Sequence, residues 1–160
     1  MSIHTISVLV ENNSGALSRV AGLFSSRGYN ISSLTVAETD DSAISRMTIV
    51  VDGEESILEQ ITKQLNRLID VIKVIDFLDE SFIQREVLLL RVESSKNNRH
   101  EIIELGNIFK ARIATVTHTS ITFELTGNRQ EIEDFILMVK PYGIKELVRS
   151  GAIAITKPKK

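Results

Sequence analysis

The sequence predicts an α+β protein made of two βαββαβ units in tandem, each an antiparallel sheet with two helices on one face. Three observations carry that expectation. The hydrophobic period switches repeatedly between 2, the strand repeat, and 3.6, the helix repeat. The order strand, helix, strand, strand, helix, strand is traced twice along the chain. The charge divides in the same place: residues 1–80 hold 6 basic and 12 acidic side chains, whereas residues 81–160 hold 13 and 9. A chain of 160 residues accommodates two such small units, expected at 1–79 and 80–160 with the junction at Asp79 to Arg85.

The elements follow in order. Ile6, Val8 and Val10 alternate as in a half-buried strand. From Ala16 the period changes, and Leu17, Val20, Ala21 and Phe24 recur at helical spacing until Gly28, a natural terminator. Ile31 to Ala37 is strand-like, Asp40-Asp41-Ser42 is a turn, and Met47 to Val51 is the next strand. Asp52-Gly53-Glu54-Glu55 opens a second helix with Ile57, Ile61, Leu65 and Leu68 on one face, and Val71 to Leu78 forms a fourth strand. In the second half Val87 to Val92 is a strand, and Ile102, Leu105 and Phe109 mark a helix. Ile113 to Thr117 and Ile121 to Leu125 are two more strands. Ile132, Phe135, Ile136 and Val139 stripe a helix stopped by Pro141 and Gly143. A last strand is expected at Ala152 to Ile155, followed by a disordered Lys157-Pro158-Lys159-Lys160 tail. Each unit has only about 75 residues, a size at which one core is marginal, so association between chains is expected on physical grounds.

Composition narrows the function. The net charge is −2 and the chain has two Tyr, six Phe and no Trp. A basic, aromatic-rich nucleic-acid surface is therefore not expected. There is no Cys, which removes disulfides, thiolate metal sites and cysteine nucleophiles. His4, His100 and His118 show no metal-ligand spacing, and no serine lies in a G-x-S-x-G setting. Glu101 and Glu104 read as surface charge. Met1-Ser2-Ile3-His4-Thr5 has no basic region followed by an apolar run, and no apolar stretch approaches the roughly 20 residues of a membrane span. The expectation is a cytoplasmic protein with no membrane, nucleic-acid or metal partner.

The segment richest in chemistry is Glu11-Asn12-Asn13-Ser14-Gly15-Ala16-Leu17-Ser18-Arg19-Val20, which joins the first strand to the first helix. Asn12 to Ser14 are capping residue types. Gly15 allows close approach to the amides of Gly15, Ala16 and Leu17, where the positive end of the helix suits a carboxylate or phosphate. Two or three charge-assisted hydrogen bonds, each worth about 1.5–3 kcal/mol, would hold a small anion there without a basic side chain. Many such loops are caps and nothing more. Downstream, Asn30 in Arg27-Gly28-Tyr29-Asn30-Ile31 both donates and accepts, which fits the paired ammonium and carboxylate of an α-amino acid. A local Asx turn is the commoner use of such a residue.

These runs, with Ala21-Gly22-Leu23-Phe24, Ser33-Leu34-Thr35-Val36, Ser45-Arg46-Met47-Thr48-Ile49, Gln60-Ile61-Thr62-Lys63-Gln64-Leu65, Arg85-Glu86 and Arg149-Ser150-Gly151, closely resemble the regulatory small subunit of acetolactate synthase (acetohydroxyacid synthase). The likeness spans nearly the whole chain and is densest over residues 5–75. It implies an N-terminal ACT domain and a C-terminal domain of ferredoxin-like topology. It implies a non-catalytic partner of a large catalytic subunit that carries thiamine diphosphate, a divalent metal (Mg) and FAD in branched-chain amino acid synthesis. It implies activation of that subunit and feedback inhibition by valine bound at an ACT homodimer interface. By motif match, Asn12, Gly15, Ala16 and Leu17 form one half of the effector site, and Asn30, Ile31 and Val36 come from the neighbouring chain. The equivalent turn of the second repeat, Glu93-Ser94-Ser95-Lys96-Asn97-Asn98-Arg99, has no glycine, and no amino-acid site is expected there. The alternative is a stand-alone ACT-domain sensor acting on a different enzyme.

Overall fold

The computed structural model describes residues 2–78 and 81–160. Two compact units form: residues up to Ile83 together with Ala152–Lys160, and Gln84–Gly151. Two residues of the expected junction, Asp79 and Glu80, lie outside the described residues.

In the first unit, β1 (Ser2–Glu11), α1 (Ala16–Ser26), β2 (Asn30–Glu38), β3 (Ile44–Gly53), α2 (Glu55–Leu65) and β4 (Val71–Asp76) follow the expected order. The sheet runs β2-β3-β1-β4 with every pairing antiparallel. Opposed pairs Ile6–Ile49 and Val8–Met47 put one row of apolar side chains against Val20 and Phe24 of α1 and Leu58, Ile61 and Leu65 of α2. Two details differ from the periodicity. Leu58 rather than Ile57 enters the core, and Leu17 is half exposed while Ala16 is buried. The rest of each stripe holds: Val20 and Phe24 in α1 and Ile61 and Leu65 in α2 are buried. α1 ends as expected at Gly28 (φ 73°). Tyr29 N–H donates to Phe24 O (3.0 Å) and Gly28 N–H to Ser25 O (3.1 Å), a Schellman closure that needs a left-handed residue.

The second unit repeats the plan with β5 (Phe82–Glu93), α3 (Arg99–Ile108), β6 (Arg112–Val116), β7 (Ser120–Gly127), α4 (Arg129–Val139) and β8 (Ile144–Arg149). Its order is β6-β7-β5-β8, the same as in the first unit. Leu88, Leu90, Val92, Ile121, Phe123 and Leu125 face Ile102, Ile132, Phe135 and Val139. The buried Glu86 is paired with Arg149, whose other nitrogen reaches Glu133 at 2.8 Å. That pair fixes the register of β8 on β5, where Leu88 opposes Arg149.

The fourth strand of this unit is therefore β8, and the expected strand at Ala152 to Ile155 is an extra element, β9 (Ile153–Thr156), which pairs with β5. Residues 152–160 accordingly group with the first unit and not with Gln84–Gly151. Lys157 is tied to Ser81 by its amide (2.9 Å), so order extends into the segment expected to be a loose tail. Among the described residues no helix is long and apolar enough to cross a membrane, and no group of three or more His, Asp or Glu is placed to hold a metal ion.

Candidate functional site

The β1–α1 loop is held from three sides. Glu11 N–H donates to Asp70 O and Asn12 N–H to Ala43 O, both at 2.8 Å. The Asn12 side-chain amide donates to Glu38 Oε1 (3.2 Å) and Ser42 O (3.1 Å). Asn12 thus clamps the loop to the end of β2 and to the β2–β3 turn. Gly15 sits at φ 83°, in the left-handed region, which L side chains occupy at a cost.

No side chain caps α1, and its first turn carries no acidic residue. The capping expected of Asn12 to Ser14 is not made. Ala16 N–H is engaged by Asn13 O at 3.2 Å, which corrects the reading of three free amides. Those of Gly15 and Leu17 have no acceptor among the described residues. The contrast with α4 is direct: Asn128 and Glu131 form a complete capping box there, so that helix end is closed by its own side chains.

A cation that the sequence reading omitted stands beside this turn. Arg19 Nε donates to Asp70 Oδ2 at 2.6 Å and Nη2 to Ser14 O at 3.3 Å. Nη1 is 2.9 Å from where a Cβ on residue 15 would stand. Asp70 is buried and also accepts from Asn13 Nδ2 at 3.3 Å. The bond from Arg19, then that from Asn13, holds the Asp70 carboxyl below its usual range, against the opposing effect of burial. A carboxyl lowered in this way contributes stability that is present above its unfolded value, near 3.9, and lost as pH falls through the folded value. Asp70→Asn is expected to lower the urea midpoint at pH 7 and to flatten its fall below about pH 4. Equal acid slopes for the two proteins would refute this assignment.

The remaining expected residues lie on β2. Val36 is two residues from Glu38, at the end that Asn12 grips, and is 40% exposed. Asn30 is exposed at the opposite end, and Ile31 packs its side chain partly into the core. Eight residues of strand separate Asn30 from Glu38, roughly 26 Å at 3.3 Å each. One copy of the chain therefore gathers Asn12, Gly15, Ala16, Leu17 and Val36 but leaves Asn30 and Ile31 remote. Tyr29, just before Asn30, has a buried hydroxyl without a partner among the described residues, and burial followed by the nearby Glu54 pushes it above its ordinary pKa.

The second unit builds the same loop differently. Glu93 N–H donates to Gly143 O and Ser94 N–H to Thr119 O at 2.8 and 2.9 Å, matching the bonds of Glu11 and Asn12. An open cavity of about 310 Å³ lies there, lined by Glu93, Ser94, Ser95, Asn98, Thr119, Tyr142 and Lys145. The backbone amides of Glu93, Ser94, Ser95 and Thr119 are spent within the fold. Ser95 N–H is taken by Asn98 Oδ1 (2.8 Å), and Arg99 bonds Ser94 Oγ (3.3 Å), Thr117 O (2.7 Å) and His118 O (3.0 Å).

Comparison with known proteins places the chain. Residues 6–73 match the family model for the AHAS small subunit-like ACT domain, and residues 85–158 match that for the small subunit of acetolactate synthase. A probable acetolactate synthase small subunit from Archaeoglobus fulgidus is 50% identical over 157 residues, covering 98% of each chain. The acetolactate synthase small subunit of Haemophilus influenzae is 47% identical over 156 residues, covering 97% of this chain and 96% of its own. The crystal structure of the acetolactate synthase small subunit from Thermotoga maritima matches with a TM-score of 0.89 at 35% identity, with both chains covered in full. Both halves of the sequence and the fold thus agree on one assignment: the chain belongs to the acetolactate synthase small-subunit family.

Proposed function

We propose that this chain is the non-catalytic regulatory subunit of acetolactate synthase. In this reading it binds valine at a seam between two copies of its N-terminal ACT domain, activates the large catalytic subunit and makes it sensitive to feedback inhibition. Thiamine diphosphate, Mg and FAD belong to that large subunit and none to this chain. One observation carries the effector site: the uncapped, glycine-opened start of α1 lies at one end of the edge strand β2, and Asn30 and Ile31 lie at the other. Two β2 strands running antiparallel about a twofold axis would bring Asn30 of one copy beside the Asn12 loop of the other. Peptide amides then take the carboxylate, Asn12 and Asn30 hold polar groups, and Leu17, Ile31 and Val36 surround the branched tail.

Because two chains build the site, occupancy favours one interchain arrangement, a coupling of about 1–3 kcal/mol. Selectivity among apolar amino acids is modest, since a methylene in a pocket is worth about 1–3 kcal/mol. Titration calorimetry of the full-length chain is expected to show saturable valine binding and weaker responses to leucine or isoleucine. Reconstitution with its large subunit is expected to raise acetolactate formation and make it valine-sensitive. Turnover by this chain alone, or absence of any large subunit in co-purification, would overturn the reading; the latter outcome favours a stand-alone sensor.

A further inference from the structure

The geometry points to Arg19 as a further ligand for the effector's α-carboxylate, with Asp70 as the residue that positions it; this rests on the proposed amino-acid site. Three observations support the inference. The guanidinium is fixed at two of its nitrogens, Nε on Asp70 and Nη2 on Ser14 O. Its third nitrogen, Nη1, lies over Gly15, 2.9 Å from the position a Cβ would take, and has no acceptor among the described residues. The neighbouring amides of Gly15 and Leu17 are likewise without acceptors there. A tethered cation and two peptide donors thus belong to the same turn, and all of them suit a carboxylate.

Asp70 is what makes this arrangement stiff. It is buried, it is held from a second side by Asn13, and Asn13 also donates to Glu11 Oε2 at 3.0 Å. A long side chain pinned at its base loses less freedom when a ligand arrives. The second unit supplies an internal contrast. Arg99 directs its guanidinium to Ser94 Oγ and to the Thr117 and His118 carbonyls, so it braces a turn built from the chain itself. Arg19 is instead braced by the Asp70 carboxylate and the Ser14 carbonyl, and its Nη1 has no acceptor among the described residues.

The test compares valine with valinamide, which keeps the side chain and ammonium but lacks the carboxylate, by calorimetry on the full-length chain. Wild type is expected to prefer valine. In Arg19→Gln the valine affinity is expected to fall by about 10- to 100-fold, the loss of one charge-assisted bond, while valinamide binding changes little, so the preference shrinks. Arg19→Lys keeps a charge and should retain part of the preference, and Asp70→Asn should lose a smaller part of it. Arg19→Met keeps the aliphatic stem and replaces the Gln variant if that one fails to melt cooperatively. A neutral variant that retains wild-type valine affinity and wild-type preference over valinamide overturns the role of Arg19 and leaves the proposed function standing. A wild-type chain that binds neither compound overturns both.

Discussion

A Gly15→Asp chain is expected to activate the large subunit normally while leaving it insensitive to valine, with valine binding weakened by about 100-fold or more. Three causes act together. The residue stands at φ 83°, where a non-glycine residue is strained by roughly 1–3 kcal/mol. A Cβ there comes within 2.9 Å of Arg19 Nη1, so the side chain must displace the guanidinium or pair with it. The new carboxylate would then occupy, covalently, the place argued for the effector's own carboxylate. Gly15→Ala shares the first two causes but adds no charge, and its loss is expected to be smaller. Valine inhibition curves of the reconstituted enzyme, read beside activation curves, separate these effects. Full valine sensitivity in the Asp variant would remove the β1–α1 loop from the site.

Phe135→Ala is expected to cost about 3–5 kcal/mol of stability, a large part of what a unit of this size commands. Phe135 is fully buried and meets the rings of Phe109 and Phe123 edge-on, with centroids 5.3 and 5.4 Å away. Its removal strips both partners of a contact and opens a void between α4 and the sheet. The chain should show a strongly lowered urea midpoint, and Phe135→Leu, which refills most of the volume, a much smaller shift. Under the proposed function, activation of the large subunit should fall with the folded fraction. A midpoint within about 1 kcal/mol of wild type would mean that this core relaxes more completely than most.

The architecture was legible wherever an apolar stripe carried it. β1, β3, β5 and β7 are central strands with inward apolar rows, and each helix shows three or four residues at helical spacing. β8 escaped because Ile144-Lys145-Glu146-Leu147-Val148-Arg149 is an edge strand whose side chains after Ile144 are all exposed. Its place is set by backbone pairing to β5 and by Arg149 on Glu86, neither of which leaves a period in the sequence. β9 shows a short alternation, with Ala154 buried between exposed Ile153 and Ile155. That signal was visible, but it could not say which element the strand joins.

For the site, Asn12 and Gly15 stood out because they lie in a strand-to-helix turn whose residue types also match the family motif, although caps and turns alone use the same types. The Arg19–Asp70 pair did not, because the two residues are 51 positions apart and meet only through the adjacency of β1 and β4. The separation of Asn30 from Asn12 is likewise a property of sheet geometry, not of spacing along the chain.

Under the proposed function, the start of α1, left unclosed by its own side chains where α4 is sealed, would tie metabolite supply to the durability of the protein. A helix lacking its cap gives up about 1 kcal/mol, and an anion bound there restores that stabilisation in proportion to its concentration. With the amino acid abundant, the first unit should resist proteases and heat; in starvation the same helix should fray first. The cell would then read end-product level through the lifetime of the subunit as well as through its activity.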